Sequence, residues 1–101
     1  MMMLLSFDLP RNTKEERKKA TLYRRRLVEL GFQMKQFSLY EREVQSQNTR
    51  DNLIAILKKE LPDTGAIVLY LLPNEVNDKQ ITILGKDAPR RTVGVPQLII
   101  V

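Results

Sequence analysis

The chain has 101 residues, 43% of them hydrophobic, which suits one domain with a modest core that a dimer partner would enlarge. It contains no Cys and no His, which excludes a disulfide scaffold, a thiol nucleophile, an imidazole base and the usual zinc ligands; a bound metal would take oxygen ligands, as hard ions such as Mg2+ or Mn2+ do. The net charge of +5 is concentrated, because Arg11 to Arg26 holds eight basic residues against two acids while the rest of the chain holds nine against ten.

Met2 to Phe7 has the continuous apolar character of a strand covered on both faces, and Pro10 bars its continuation. The run is too short for a signal segment and lacks a basic start, and no other run approaches membrane-spanning length. The expectation is a soluble cytoplasmic protein with no membrane partner. Thr13 followed by Glu16 is a capping-box pair, so a helix should start there. Ala20, Tyr23, Leu27 and Leu30 recur at helical spacing and would face the core, which leaves Arg17, Lys18, Arg24 and Arg25 pointing elsewhere; Gly31 supplies the stop. Phe32 to Glu43 alternates and is rich in aromatic residues, which predicts one strand, or two separated by a bulge near Ser38. Ser46 to Asn48 can cap a second helix with Leu53, Ile54, Leu57 and Leu61 as its apolar stripe, ended by Pro62. After a turn at 62–65, Ala66 to Pro73 predicts a buried strand, 74–78 a polar turn, and Gln80 to Gly85 a shorter strand.

This order suits an α+β fold over residues 1–85, a ferredoxin-like β-α-β-β-α-β sandwich with both helices on one face of the sheet. Residues 86–101 read as a linker that leads to a terminal apolar strand, Leu98 to Val101. Such a strand either folds back or adds to a neighbour's sheet; pairing across a homodimer is the favoured expectation.

Asp8 is the foremost candidate for a site. A carboxylate that ends an apolar strand is paired, used as a turn cap, or used as a ligand, and Arg11 and Arg17 are the partners at hand. One carboxylate per chain cannot hold a metal alone, but in a two-fold dimer Asp8 meets its own copy and two acids can share an ion. The basic segment, with Arg11, Lys14, Arg17, Lys18, Arg24 and Arg25, is either a solvated helix face or an electrostatic footprint for a phosphate backbone.

Together, "LLSFDLPRNTKEERK", "YRRRLVELGF" and "QFSLYERE" resemble the small CRISPR-associated adaptation protein, the non-integrase partner of the spacer-acquisition complex, often called an endoribonuclease. The shared features are an Asp directly after the first strand, a Thr-capped basic helix ending in Leu-Gly-Phe, and a Ser-Leu-Tyr stretch where the family commonly has Ser-Val-Phe or Ser-Val-Tyr. The resemblance implies a ferredoxin-like fold, a symmetric homodimer, and a divalent metal, Mg2+ or Mn2+, between the two copies of Asp8. It implies a nucleic-acid-binding scaffold that works with the CRISPR-associated integrase on double-stranded DNA. It also implies a metal-dependent endonuclease acting on RNA or DNA, in which Asp8 is the catalytic and metal-binding residue, Arg17 or Arg24 binds the phosphate, and Ser38 and Tyr40 are accessory. The alternatives are an RNA-binding ferredoxin-like module, which three Phe, three Tyr and no Trp do not favour, and a toxin-type mRNA ribonuclease of the same fold.

Overall fold

The computed structural model describes residues 1–85. Its elements are β1 (Met2–Asp8), α1 (Lys14–Glu29), β2 (Gln33–Gln36), β3 (Leu39–Glu43), α2 (Gln47–Lys59), β4 (Ala66–Leu72) and a short α3 (Asn74–Asn77). The four strands form one sheet in the order β2-β3-β1-β4, every neighbouring pair antiparallel. This is the ferredoxin-like arrangement that the element order led one to expect. The predicted linker and the terminal strand at Leu98 lie outside the described residues.

Local chemistry sets the helices as expected. The backbone N–H of Glu16 donates to Thr13 Oγ1 at 3.1 Å and that of Thr13 donates to Glu16 Oε1 at 2.9 Å, so the capping box closes in both directions. Ser46 caps α2 by accepting from the Thr49 N–H at 3.1 Å. At the end of α1, Gly31 takes φ +89, a conformation that disfavours a side chain, and a Cβ there would also press on the Arg42 guanidinium. Ala20, Tyr23 and Leu27 of α1 and Leu53 and Leu57 of α2 join Met3, Leu5 and Phe7 in one core. Leu30 packs at its margin, whereas Leu61 falls beyond the end of α2 and stays exposed.

The strand alternation then divides β1. Met3, Leu5 and Phe7 face the helices, and Leu4, Ser6 and Asp8 face the other way. The expectation of a strand covered on both faces is therefore corrected, since both helices lie on one side and Leu4 and Ser6 are only half-buried. Phe32 to Glu43 is two strands. The register shifts at Lys35, and the reversal falls at Phe37 and Ser38, where no Gly or Pro announces it.

The chain after β4 differs from the sequence expectation in two ways. Residues 74–77 form a turn of helix, not a simple turn: the N–H groups of Val76 and Asn77 both bond to the Pro73 carbonyl at 3.0 Å. Gln80 to Gly85 forms no strand. Its side chains Ile81, Ile83 and Leu84 are exposed, and no free sheet edge in the described residues takes the segment as a partner. Gln80 is instead held by its side chain, which donates to the Asn77 carbonyl at 3.0 Å and accepts from Lys35 on β2. Because β2 and β4 are opposite edges, residues 73–80 cross the helix-free face of the sheet. They cover its upper part, where Glu41 is buried beside Lys35.

Candidate functional site

Asp8 ends β1 on the helix-free face, paired in register with Ala66 of β4. Its carboxylate is exposed and forms no ion pair or hydrogen bond among the described residues; neither Arg11 nor Arg17 reaches it. Its backbone is tightly set. Gly65 takes φ +110 in the turn before β4, and a Cβ there would lie 2.7 Å from the Asp8 carbonyl oxygen and 2.8 Å from Leu9 Cδ2, so only a glycine lets the turn approach this closely. Among the described residues no three acidic side chains are grouped to hold a metal ion. One copy of the chain presents one carboxylate.

Ser38 and Tyr40 are not brought to Asp8 as a set. The Ser38 carbonyl accepts from the Phe7 N–H at 3.0 Å, which ties the β2–β3 turn to the end of β1. Tyr40 is buried on the helix-covered face, its ring 5.7 Å from that of Phe7, with the sheet between it and the face that carries Asp8.

The basic residues of α1 separate by their angle around the helix, about 100° per residue. Lys14, Lys18 and Arg25 form a stripe opposite buried Ala20, Tyr23 and Leu27. They are exposed and make no ion pair among the described residues. Lys19 and Arg26 lie on the flank toward the end of α2 and are already matched: Lys19 Nζ is 3.1 Å from Asp63 Oδ2, and Arg26 grips Glu60 with contacts of 2.9 and 3.2 Å. Those partners raise the pKa of Lys19 and of Arg26, and the Arg26 guanidinium holds the Glu60 carboxyl below its ordinary range. Arg17 and Arg24 lie on the other flank. Arg17 donates to the Arg11 carbonyl at 3.2 Å, which braces the loop before the helix.

Arg24 and Arg11 meet at Phe37. The Arg24 guanidinium carbon stands 3.8 Å from the centre of the Phe37 ring and that of Arg11 stands 4.7 Å from it, while Arg24 Nε donates to the Phe37 carbonyl at 3.2 Å. Phe37 itself remains 51% exposed. Sequence reasoning did not single out Phe37. No periodicity marks it, because its two arginine neighbours reach it only when β2 returns alongside α1.

Among the described residues no helix is long and apolar enough to cross a membrane. The sequence profile of the family described as CRISPR associated protein Cas2 matches residues 1–80. The chain is 38% identical over 86 residues to the CRISPR-associated endoribonuclease Cas2 of Paracidovorax avenae, a match that covers 85% of this chain and 80% of that one. It is 35% identical to the protein of the same name from Streptococcus mutans, over 85% of this chain and 79% of that one. The fold also superposes on a crystal structure of Streptococcus pyogenes Cas2 with a TM-score of 0.65 and 25% identity, covering 84% of this chain and all of that one. A family match over residues 1–80, relatives aligned over about four-fifths of their own length, and the shared fold agree: the chain belongs to the CRISPR-associated Cas2 family.

Proposed function

We propose that this chain is a homodimeric nucleic-acid-binding scaffold of CRISPR adaptation, which holds duplex DNA by its phosphates for a CRISPR-associated integrase. The observation that carries this is the outward stripe of α1. Lys14, Lys18 and Arg25 project from a rigid, doubly capped helix and make no ion pair among the described residues, since Glu15 and Glu29 pair with Lys19 and Arg26, while the other cations of the same helix are spent within the fold or braced against it. Phosphates are their natural counter-charge, and contacts of that kind position a duplex without reading its sequence. The homodimer is supported by the apolar side chains Val68 and Tyr70, about half exposed on the same face as Asp8.

A second activity, metal-dependent phosphodiester cleavage, is supported by Asp8 and by the endoribonuclease name of the relatives. The donor chemistry fits a hard ion: each copy offers an exposed carboxylate with no ion pair among the described residues, and two copies would supply oxygen ligands to Mg2+ or Mn2+. Such an ion, when bound, acidifies water and offsets charge on a phosphate. This chain's own part is to fix the Asp8 backbone through the close approach of Gly65 and to bring the nucleic acid with its cations. It has no histidine to act as a base.

The test measures duplex affinity and magnesium-dependent cleavage side by side for the wild type, for Lys14, Lys18 and Arg25 changed together to Ala, and for Asp8→Asn. Each lost phosphate contact should flatten the slope of log affinity against log salt by roughly 0.9, so the triple variant should lose up to about 2.7. Asp8→Asn should keep duplex affinity and lose metal-dependent cleavage. A triple variant with the wild-type slope removes the scaffold reading of this helix, and an Asp8→Asn protein that cleaves normally removes Asp8 from the chemistry.

A further inference from the structure

We propose that Arg11 and Arg24, gathered on the Phe37 ring, form a preorganised site for a single phosphate of the nucleic-acid backbone, separate from the outward stripe of α1. It rests on the nucleic-acid reading above and narrows it to one pocket of charge.

Two guanidiniums held by one ring are a costly arrangement in an apoprotein. The ring attracts each cation, yet it neutralises neither. No carboxylate pairs with Arg11 or Arg24 among the described residues, and Arg24 is partly buried. Burial first, and then the neighbouring charge of Arg11, lower the pKa of Arg24 from its ordinary value. An anion between the two arginines would relieve this repulsion.

The geometry favours a phosphate. Arg24 is fixed in orientation because its Nε donates to the Phe37 carbonyl at 3.2 Å, and its two terminal nitrogens donate to no other group among the described residues. A planar guanidinium fork of this kind matches phosphate oxygens in a way that a lysine ammonium cannot. The backbone of Arg11 is held as well, because its carbonyl accepts from Arg17. The bond from the Phe7 N–H to the Ser38 carbonyl then locks the Phe37 turn onto the end of β1. The backbone that carries Arg11 and Phe37 and the side chain of Arg24 are therefore held before any ligand arrives, and the Arg11 side chain rests on the Phe37 ring. A ligand bound here pays little ordering cost.

The two arginines sharing one phosphate makes a prediction that two independent contacts do not. Salt titrations of duplex DNA affinity would compare the wild type with Arg11→Ala, Arg24→Ala, the double variant, Arg24→Lys and Phe37→Leu, with thermal melting to confirm that each is folded. The double variant should flatten the salt slope by roughly 0.9, the value for one phosphate, and lose little more affinity than the stronger single variant. Arg24→Lys and Phe37→Leu keep every charge and should weaken binding several-fold with the slope retained. A double variant that flattens the slope by roughly 1.8 would show two separate phosphate contacts and overturn the shared site. Wild-type affinity in Arg24→Lys and Phe37→Leu would overturn the preorganisation. If the Arg11 and Arg24 variants bind as wild type while the Lys14, Lys18 and Arg25 variant is weakened, the site is refuted and the scaffold reading stands. If that triple variant is also unchanged, both fall together.

Discussion

The two faces of the sheet follow different rules. The covered face is closed within one chain: Met3, Leu5, Phe7 and Tyr40 meet Ala20, Tyr23 and Leu27 of α1 and Leu53 and Leu57 of α2, all buried. On the open face, Glu41 is buried beneath the segment that follows β4, but Val68 and Tyr70 remain about half exposed, and Asp8 sits at the lower end with no partner among the described residues. The difference teaches that burial identifies the part of this protein that makes it fold, and incomplete burial identifies the part that is left for something else to meet.

The sharpest contrast comes from one truncation on the covered face. Leu27 is fully buried between α1 and the sheet. Leu27→Ala removes its transfer energy and leaves a cavity, which should cost about 2–5 kcal/mol, a large share of the stability of a small domain. Denaturant unfolding measures it; a loss below about 1 kcal/mol would mean that the core collapses around the gap and that the covered face is less tightly packed than its burial implies.

The open face should respond in the opposite sense. Val68 and Tyr70 lie in register with Ser6 and Leu4 of β1 and contribute exposed area to their own protomer. Changing both to Ser should cost the isolated protomer less than about 1 kcal/mol, as substitutions at the surface generally do. If two copies meet through this face, the same change should shift sedimentation from dimer toward monomer. A variant that remains as dimeric as the wild type would move the interface elsewhere and with it the meeting of two Asp8 carboxylates.

The covered face was legible in the sequence because it obeys local rules. A capping box at Thr13 and an apolar stripe at helical spacing place α1 to within a residue, and Asp8 is conspicuous where an apolar run ends in an acid. What escaped the sequence depends on distant partners. Gln80 to Gly85 has the composition of a strand, but a strand needs an edge, and in the described chain Ile83 and Leu84 lie open to solvent. The polar residues 74–77 could equally be turn or helix until Pro73 supplied its carbonyl to two N–H groups. The sorting of the α1 cations into spent, stacked and free required knowing that α2 supplies Glu60 to one flank and the β2–β3 turn supplies Phe37 to the other. Helical spacing says that Arg24 and Arg25 diverge; it does not say toward what.

The smallest effect tests the one polar flaw of the covered face. Tyr23 packs edge-on against Phe7 at 5.6 Å, and its hydroxyl is buried with no hydrogen-bond partner among the described residues. Burial first, and the charge of Glu60 second, push the phenol up to about 12 from its ordinary value of 10.0. The unfolded chain therefore releases this proton at lower pH than the folded chain. Tyr23 contributes fully below pH 10, and stability falls as the pH climbs from 10.0 toward about 12, because only the unfolded state gains from ionisation across that window. Tyr23→Phe keeps the ring against Phe7 and removes the unpaired hydroxyl. It should leave stability at neutral pH unchanged or raise it by about 1 kcal/mol, since a buried hydroxyl without a partner has lost water and gained nothing. Its advantage over the wild type should then widen between pH 10.0 and about 12. Melting curves of the two proteins across that range decide the matter. A variant less stable than the wild type at neutral pH would show that the hydroxyl has a partner after all, and the covered face would then be closed in its polar as well as its apolar groups.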